Sequence, residues 1–573
     1  MATLAGDRLA VGFRPAKRIR QRLGRDDLVM RGGLLLVTAW LGVAVVLPLW
    51  ALLSKSVQGP DGQFVGLANF AAYIGTPALS SSVWSSLLVA AISTAICILL
   101  AFLFAYGLTR TCLPGKGLFK TVAQVPILAP SLLPAIALIY MFGNQGYAKG
   151  LLLGHSIYGP IGIVMGSVFW TFPHALIIIT TALALSDARL HEAAAALRAS
   201  RWRVFWTVTL PGARYGLISA TFVVFTLVIT DFGVPKVIGG QFNVLATDVY
   251  KQVVGQQNFQ MGAVVGLVLL VPALLAFTVD RLVQRRQTAL LSARAVPYTP
   301  TPDPLLDRTF LVVCTIIAAA ILVVLGTALF ASLVTFWPYN LSFTLKNYDF
   351  DRMDGGGWES YGNSLRMAGY TALFGSVVVF VGAWLVEKSR GFAAGRAVVQ
   401  MLALLPLAVP GLVLGLGYIF FFNAPSNPLG FLYGSMAILV ICTIAHFYSV
   451  AHLTAITALK QIDPEFETVS ASLRVPFYRT FARVTLPVCL PALLDIAIYL
   501  FVNAMTTVSA VVFLYAPSTT LAAIAVLNMD DAGDAAPAAA MAIVIFATSA
   551  AVRLLYTLIT GRLLHRAQAW RRR

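Results

Sequence analysis

Apolar residues in this chain run in blocks of about twenty, divided by short polar stretches, rather than at the spacing of an amphipathic surface helix. A helix rises about 1.5 Å per residue, so such a block spans the roughly 30 Å hydrocarbon core of a bilayer. Blocks lie near residues 33–54, 86–109, 119–143, 159–185, 215–237 and 261–280, and again near 309–335, 364–386, 397–422, 431–456, 490–515 and 537–560. The pattern predicts an all-α polytopic membrane protein of about 12 transmembrane helices in two groups of six. Six crossings return the chain to the side it left, so the groups form parallel repeats. The expected units are a basic N-terminal segment (1–32), a first repeat (33–285), a linker (286–308), a second repeat (309–562) and a basic tail (563–573). The linker carries Ala295-Val296-Pro297-Tyr298-Thr299-Pro300-Thr301-Pro302-Asp303-Pro304, a composition that favours extended chain.

The polar stretches repeat as well. Asp187, Glu192-Ala193-Ala194, Leu197-Arg198, Phe205 and Val208-Thr209-Leu210-Pro211 have counterparts 276 residues later. These are Asp463-Pro464-Glu465, Leu473-Arg474, Phe481 and Val484-Thr485-Leu486-Pro487. Each stretch reads as a short helix, a turn and a re-entry into the membrane. Asp187 and Asp463 are expected to accept free backbone N–H bonds at the helix starts, with Pro464 at a first helical position. Glu192, Glu465 and Glu467 lie early and Arg198 and Arg474 late, as the helix dipole favours. Leu197 and Leu473 are the apolar knobs, and Pro211 and Pro487 separate each loop from the next span. Pro126 and Pro130 in the third span likewise match Pro406 and Pro410 in the ninth, a further sign of duplication.

Composition agrees: 59% of the 573 residues are hydrophobic and 11% charged, against about 25% charged in soluble domains. The net charge of +18 follows topology, because 34 of the 41 Lys and Arg fall in termini and loops on one side. Positive residues accumulate in the cytoplasm, so both termini are expected on the cytoplasmic side, with lipid and not nucleic acid as the surface partner. The five cysteines are scattered without CxxC spacing, so neither a disulfide framework nor a zinc site is expected. Nothing points to a cofactor. About thirty polar, Arg-rich residues precede the first apolar block, which reads as an anchor rather than a cleaved signal.

On the twin loops the chain resembles the permease subunits of binding-protein-dependent ABC importers, whose shared motif runs Glu-Ala-Ala, then Gly, then Leu-Pro some dozen residues on. The resemblance covers nearly the whole length as two fused permeases and implies the type I importer permease fold. Two departures stand out: the usual Gly is Arg198 in one half and Arg474 in the other. In the second half the Glu-Ala-Ala positions hold Thr468-Val469-Ser470, with Glu467 one place earlier. The resemblance implies that Glu192, Ala193, Ala194, Leu197, Arg198, Leu210 and Pro211, with Glu467, Leu473, Arg474, Leu486 and Pro487, meet two copies of a separate ATPase. This chain has no G-x-x-x-x-G-K-[ST] phosphate cradle. It also implies an extracytoplasmic solute-binding protein, for which the polar, aromatic loop at 336–363 offers a docking lip or a plain solvated connection.

Ionisable groups at membrane depth are costly and draw functional attention. Asp231, in Thr230-Asp231-Phe232-Gly233-Val234-Pro235-Lys236, is the best placed for a cationic group of a cargo, or else for pairing with Lys236 or capping a helix. Lys236 is its companion, and Asn503 and Thr507 occupy the corresponding region of the second half. The stretch Ile229 to Gly240, with Asn243 to Gln252, is similar to permeases assigned to 2-aminoethylphosphonate uptake, a group related to ferric-iron and thiamine permeases. The expected function is therefore inward translocation of a small polar solute, 2-aminoethylphosphonate first. Ferric-iron, thiamine or polyamine permeases are the alternatives, and an ion-coupled secondary transporter is the alternative from another class. A membrane enzyme lacks a nucleophile–base pairing or metal constellation.

Overall fold

The computed structural model describes residues 24–290, 298–389 and 392–567; most of the basic N-terminal segment, part of the linker and the end of the tail lie outside the described residues. Among the described residues nine helices are long and apolar enough to cross a bilayer, or up to twelve when each of three bent helix pairs is taken as one span. The nine are Arg25–Ser56, Pro77–Arg110, Pro160–Ala184, Arg201–Ile229, Phe259–Gln284, Pro304–Leu333, Gly357–Lys388, Met436–Lys460 and Ala535–Gly561.

The blocks at 119–143, 397–422 and 490–515 are not the straight spans their hydropathy predicts. Lys116–Leu128 meets Leu132–Phe142 at 103°, Ala393–Ala408 meets Gly411–Phe422 at 113°, and Phe477–Val488 meets Leu490–Thr506 at 71°. Proline accounts for the first two. A residue before proline is pushed out of the helical region, and Ala129 and Val409, ahead of Pro130 and Pro410, are extended at ψ 141° and 118°. The fifth span also stops early, at Ile229 instead of 237, and a separate short helix, Gly233–Ile238, follows.

Packing crosses the sequence division. Arg25–Leu41 lies on Gly357–Lys388 and Ala393–Leu404, and Leu47–Ser56 on Gly411–Phe422. The Tyr418 hydroxyl donates to the Ala44 carbonyl at 2.7 Å. Reciprocally, Pro304–Leu333 lies on Pro77–Arg110 and Leu132–Phe142. Each half thus lends its first helix to the other. Within each half the second helix packs on the fourth and fifth: Pro77–Arg110 on Pro160–Ala184 and Leu210–Ile229, Gly357–Lys388 on Met436–Lys460 and Leu490–Thr506. In lipid, helix association relies on close approach rather than on a hydrophobic drive. Gly216 against Ala182 supplies one such contact, since a Cβ on Gly216 would come within 2.2 Å of the Ala182 Cβ.

The twin loops share one face. The opposite face carries a two-stranded hairpin, Val334–Phe336 and Asn340–Phe343, which leads into the loop singled out at 336–363. Its Phe336, Tyr339 and Phe343 are exposed.

Candidate functional site

The loops fold as twin feet. In the first, Ala188–Ala196 is helical and Asp187 caps it, its Oδ1 accepting the Arg189 N–H at 3.1 Å. In the second, Glu465–Ser472 is helical and the Asp463 Oδ1 accepts the Glu465 N–H at 2.9 Å. Both end in the same reversal. The Ala199 N–H bonds the Ala194 carbonyl at 3.0 Å, and the Val475 N–H bonds the Ser470 carbonyl at 2.9 Å. These six-to-one bonds require a left-handed residue just before the donor, a place where glycine is usual. Arg198 and Arg474 hold it, each at φ 52°. The departure from the motif therefore replaces the residue without replacing the turn.

Beyond each turn the chain re-enters through a short helix (Arg201–Val204, Phe477–Thr480) and a π turn (Phe205–Thr209, Phe481–Thr485). Leu210-Pro211 and Leu486-Pro487 follow directly. Pro211 does not separate loop from span as expected, because the helix runs unbroken from Arg201 to Ile229. A π turn widens the hydrogen-bonded ring just where proline lacks a donor, and so carries the helix past it. Past Pro487 the helix reaches Val488 before its bend.

Exposure divides the residues expected to meet an ATPase. Leu197 is 82% exposed and Leu473 70%, with Leu190, Phe466 and Val469 also open to solvent. Single exposed leucines need no explanation, but apolar groups gathered on two matched projections mark contact surfaces. Glu192, Ala193 and Arg198 are exposed and Ala194 is buried. Glu467 does not match Glu192: it forms an ion pair with Lys388 at 2.5 Å.

Supports around the feet were not read from the sequence. Arg110, at the end of the second span, donates to the Leu183 carbonyl at 2.8 Å and to the Ser186 hydroxyl. Its guanidinium lies over the Tyr298 ring at 4.4 Å, and that ring meets His191 at 4.5 Å. Burial, and the charge of Arg110, lower the His191 pKa. Arg201 pairs with Asp303 of the linker. In the second half Trp384 packs on Phe477 and Phe481, at 5.8 and 4.8 Å. Lys388 ends its helix as Arg110 ends the corresponding one, but the 276-residue offset puts Arg110 on Val386, so the register of the loops alone does not align them.

The polar residues proposed for a path scatter. Asp231 caps the short helix after the fifth span, accepting the Gly233 and Val234 N–H bonds at 3.2 Å each. It does not pair with Lys236, whose Nζ reaches Asp531 of the second half at 2.8 Å and lies 5.3 Å from the Tyr250 ring centre. Asn503 donates to the Tyr499 carbonyl at 2.7 Å within its own helix. Thr507 is buried at that helix's end. Asp530 and Asp531, absent from the sequence reading, thus sit where the halves meet.

Comparison with known proteins supplies the family. Residues 114–289 and 378–565 each match the model of the binding-protein-dependent transport system inner membrane component. The ferric transport system permease protein FbpB of Actinobacillus pleuropneumoniae is 28% identical over 502 residues, covering 84% of this chain and 71% of the relative. A putative ferric transport system permease protein FbpB 1 of Haemophilus influenzae is 29% identical, over 73% of this chain and 67% of the relative. The molybdenum transport system permease protein ModB of Escherichia coli is 32% identical over 139 residues, which are 23% of this chain and 58% of that protein. With the matched domain present twice and the helices arranged as two repeats, the chain belongs to the binding-protein-dependent transport system inner membrane components, as an ABC importer permease of type I fold.

Proposed function

We propose that the protein is the conduit through which a small polar solute enters the cell by alternating access, driven by two copies of a separate ATPase seated on the twin feet. An extracytoplasmic binding protein delivers the solute on the opposite face, where the exposed aromatic hairpin projects. Both termini, on this reading, are cytoplasmic. The observation that carries it is the matched pair of exposed leucines, Leu197 and Leu473, on helices with identical ends. Leucines held in the open on rigid turns gain only when a partner's groove covers them.

The test replaces them together. Leu197→Asp with Leu473→Asp should leave the protein inserted in the membrane but cut ATP-dependent uptake at least tenfold and abolish co-purification of the ATPase. Undiminished uptake would remove the coupling role. Reversal at Glu467 is a poorer test, since Glu467→Lys also breaks the pair with Lys388.

For the cargo, the stretch from Ile229 to Gln252 supports 2-aminoethylphosphonate. A ferric cargo is favoured by similarity to proteins named ferric permeases across both halves. Cells lacking this chain should lose uptake of radiolabelled 2-aminoethylphosphonate and keep ferric uptake. The opposite loss would establish the second reading.

A further inference from the structure

On the face opposite the feet, a cavity of about 330 Å³ is lined by first-half residues alone, between Thr76–Leu79 and residues 243–261. At about 30 Å³ per water molecule this is room for a solute of roughly ten heavy atoms. Asp248 lines it and is only 2% exposed. Its Oδ2 has no hydrogen-bond partner among the described residues. The Ser82 hydroxyl beside it donates to the Leu79 carbonyl at 2.7 Å. Lys251, one helical turn on, also lines the cavity and bonds the Asn243 side chain. Burial raises the Asp248 pKa, while the Ser82 hydroxyl and the Lys251 ammonium lower it, which places Lys251 within electrostatic reach of the carboxyl. Gln252, Gln256 and Thr76 add carboxamides and a hydroxyl.

Folding does not account for this pair. The corresponding positions of the second half, 276 residues on, are Ile524 and Leu527, 0% and 1% exposed in the apolar core. The same helical turn is thus stable without either charge. A buried carboxylate oxygen without a partner costs roughly 1–3 kcal/mol, more when charged, unless something satisfies it. Opposite charges one turn apart in a polar cavity suit a ligand that carries both.

We propose that this cavity binds a small zwitterion, its ammonium group on Asp248 and its acid group on Lys251 and the neighbouring carboxamides. A free solute or a zwitterionic phospholipid headgroup has this chemistry. The site lies within one half and away from the feet, so its occupancy is independent of the coupling reading.

Calorimetric titration of the full chain, in nanodiscs of phosphatidylglycerol alone, tests it with taurine, β-alanine, ethylamine and ethanesulfonate. At least one zwitterion should bind at least tenfold more tightly than either single-charge analogue. Asp248→Asn and Lys251→Gln should each weaken that binding tenfold or more. Lys251 is exposed, so its variant reports on the site even where Asp248→Asn disturbs folding. Repeating the titration with phosphatidylethanolamine present separates the sources: competition identifies the headgroup, and unchanged binding identifies the free solute. Ethylamine binding as tightly as the zwitterions, no zwitterion binding at all, or binding indifferent to Lys251→Gln would each overturn the proposal.

Discussion

One residue in each loop decides how its foot ends, and it sits in an unfavourable conformation. Arg198 and Arg474 hold φ 52° with exposed side chains. A left-handed non-glycine residue costs about 1–2 kcal/mol. Arg198→Gly and Arg474→Gly should therefore strengthen the turns by about 1 kcal/mol, slowing hydrogen exchange at Ala199 and Val475 about fivefold. Faster exchange would mean that the arginine side chains hold the turn by contacts of their own. Asp530 is the second residue whose chemistry makes a prediction. Burial and the neighbouring Asp531 raise its carboxyl to about 6, with Lys236 acting in the opposite sense. Its ionised form is disfavoured in the folded protein, so its contribution to stability is full at pH below about 4 and fades as pH rises through about 6. Between about pH 5 and pH 7.5 the wild type should lose about 1 °C in melting temperature that Asp530→Asn does not lose. Parallel curves for the two proteins would contradict the assignment.

Between elements, the duplication is preserved with its residues exchanged. A Cβ on Gly233 would lie 2.2 Å from the Ser131 Oγ, and one on Gly411 would lie 2.5 Å from the Ser509 Oγ. The first contact joins the break in the third span to the helix after the fifth; the second joins their counterparts, with serine and glycine transposed. Gly233→Ala should destabilise the protein by about 1–3 kcal/mol through overpacking. Adding Ser131→Gly should recover most of it, a coupling that thermal melts of the two single variants and the pair would measure. Additive losses would show that the clash relaxes elsewhere. The sequence exposed the elements better than their joints. Run length located the nine straight helices and the three bent pairs, and Asp187, Asp463 and the repeated Leu-Arg placed the feet. Hydropathy could not see the bends, because an apolar run reads the same straight or folded; only Pro130 and Pro410 hinted at them. Asp231 illustrates the same limit. Its depth was legible, but capping Gly233 and Val234 depends on the helix break beside it.

At the scale of the whole molecule, parallel repeats were legible from the 276-residue offset, whereas the exchange of first helices was not, since periodicity says nothing about which neighbour a lipid-facing helix chooses. The two halves are also tied on the face opposite the feet. Trp337 of the hairpin donates to the Gln145 carbonyl at 3.1 Å, and Lys236 reaches Asp531 at 2.8 Å. Under the proposed alternating access this face parts, and the Lys236–Asp531 pair then breaks in every cycle. A half-exposed ion pair is worth about 0–1 kcal/mol and is well suited to that. Removing it should be tolerated; making it permanent should not. With Cys112 replaced by Ser, the variant Lys236→Cys, Asp531→Cys should transport at no less than about half the wild-type rate. A short, reducible thiol-specific linker joining the two cysteines should stop uptake while ATPase binding to the feet persists, and dithiothreitol should restore it. The four remaining cysteines are buried and should not react. Full uptake by the linked protein would mean that the halves do not separate at Lys236 and Asp531, and the path would have to open elsewhere.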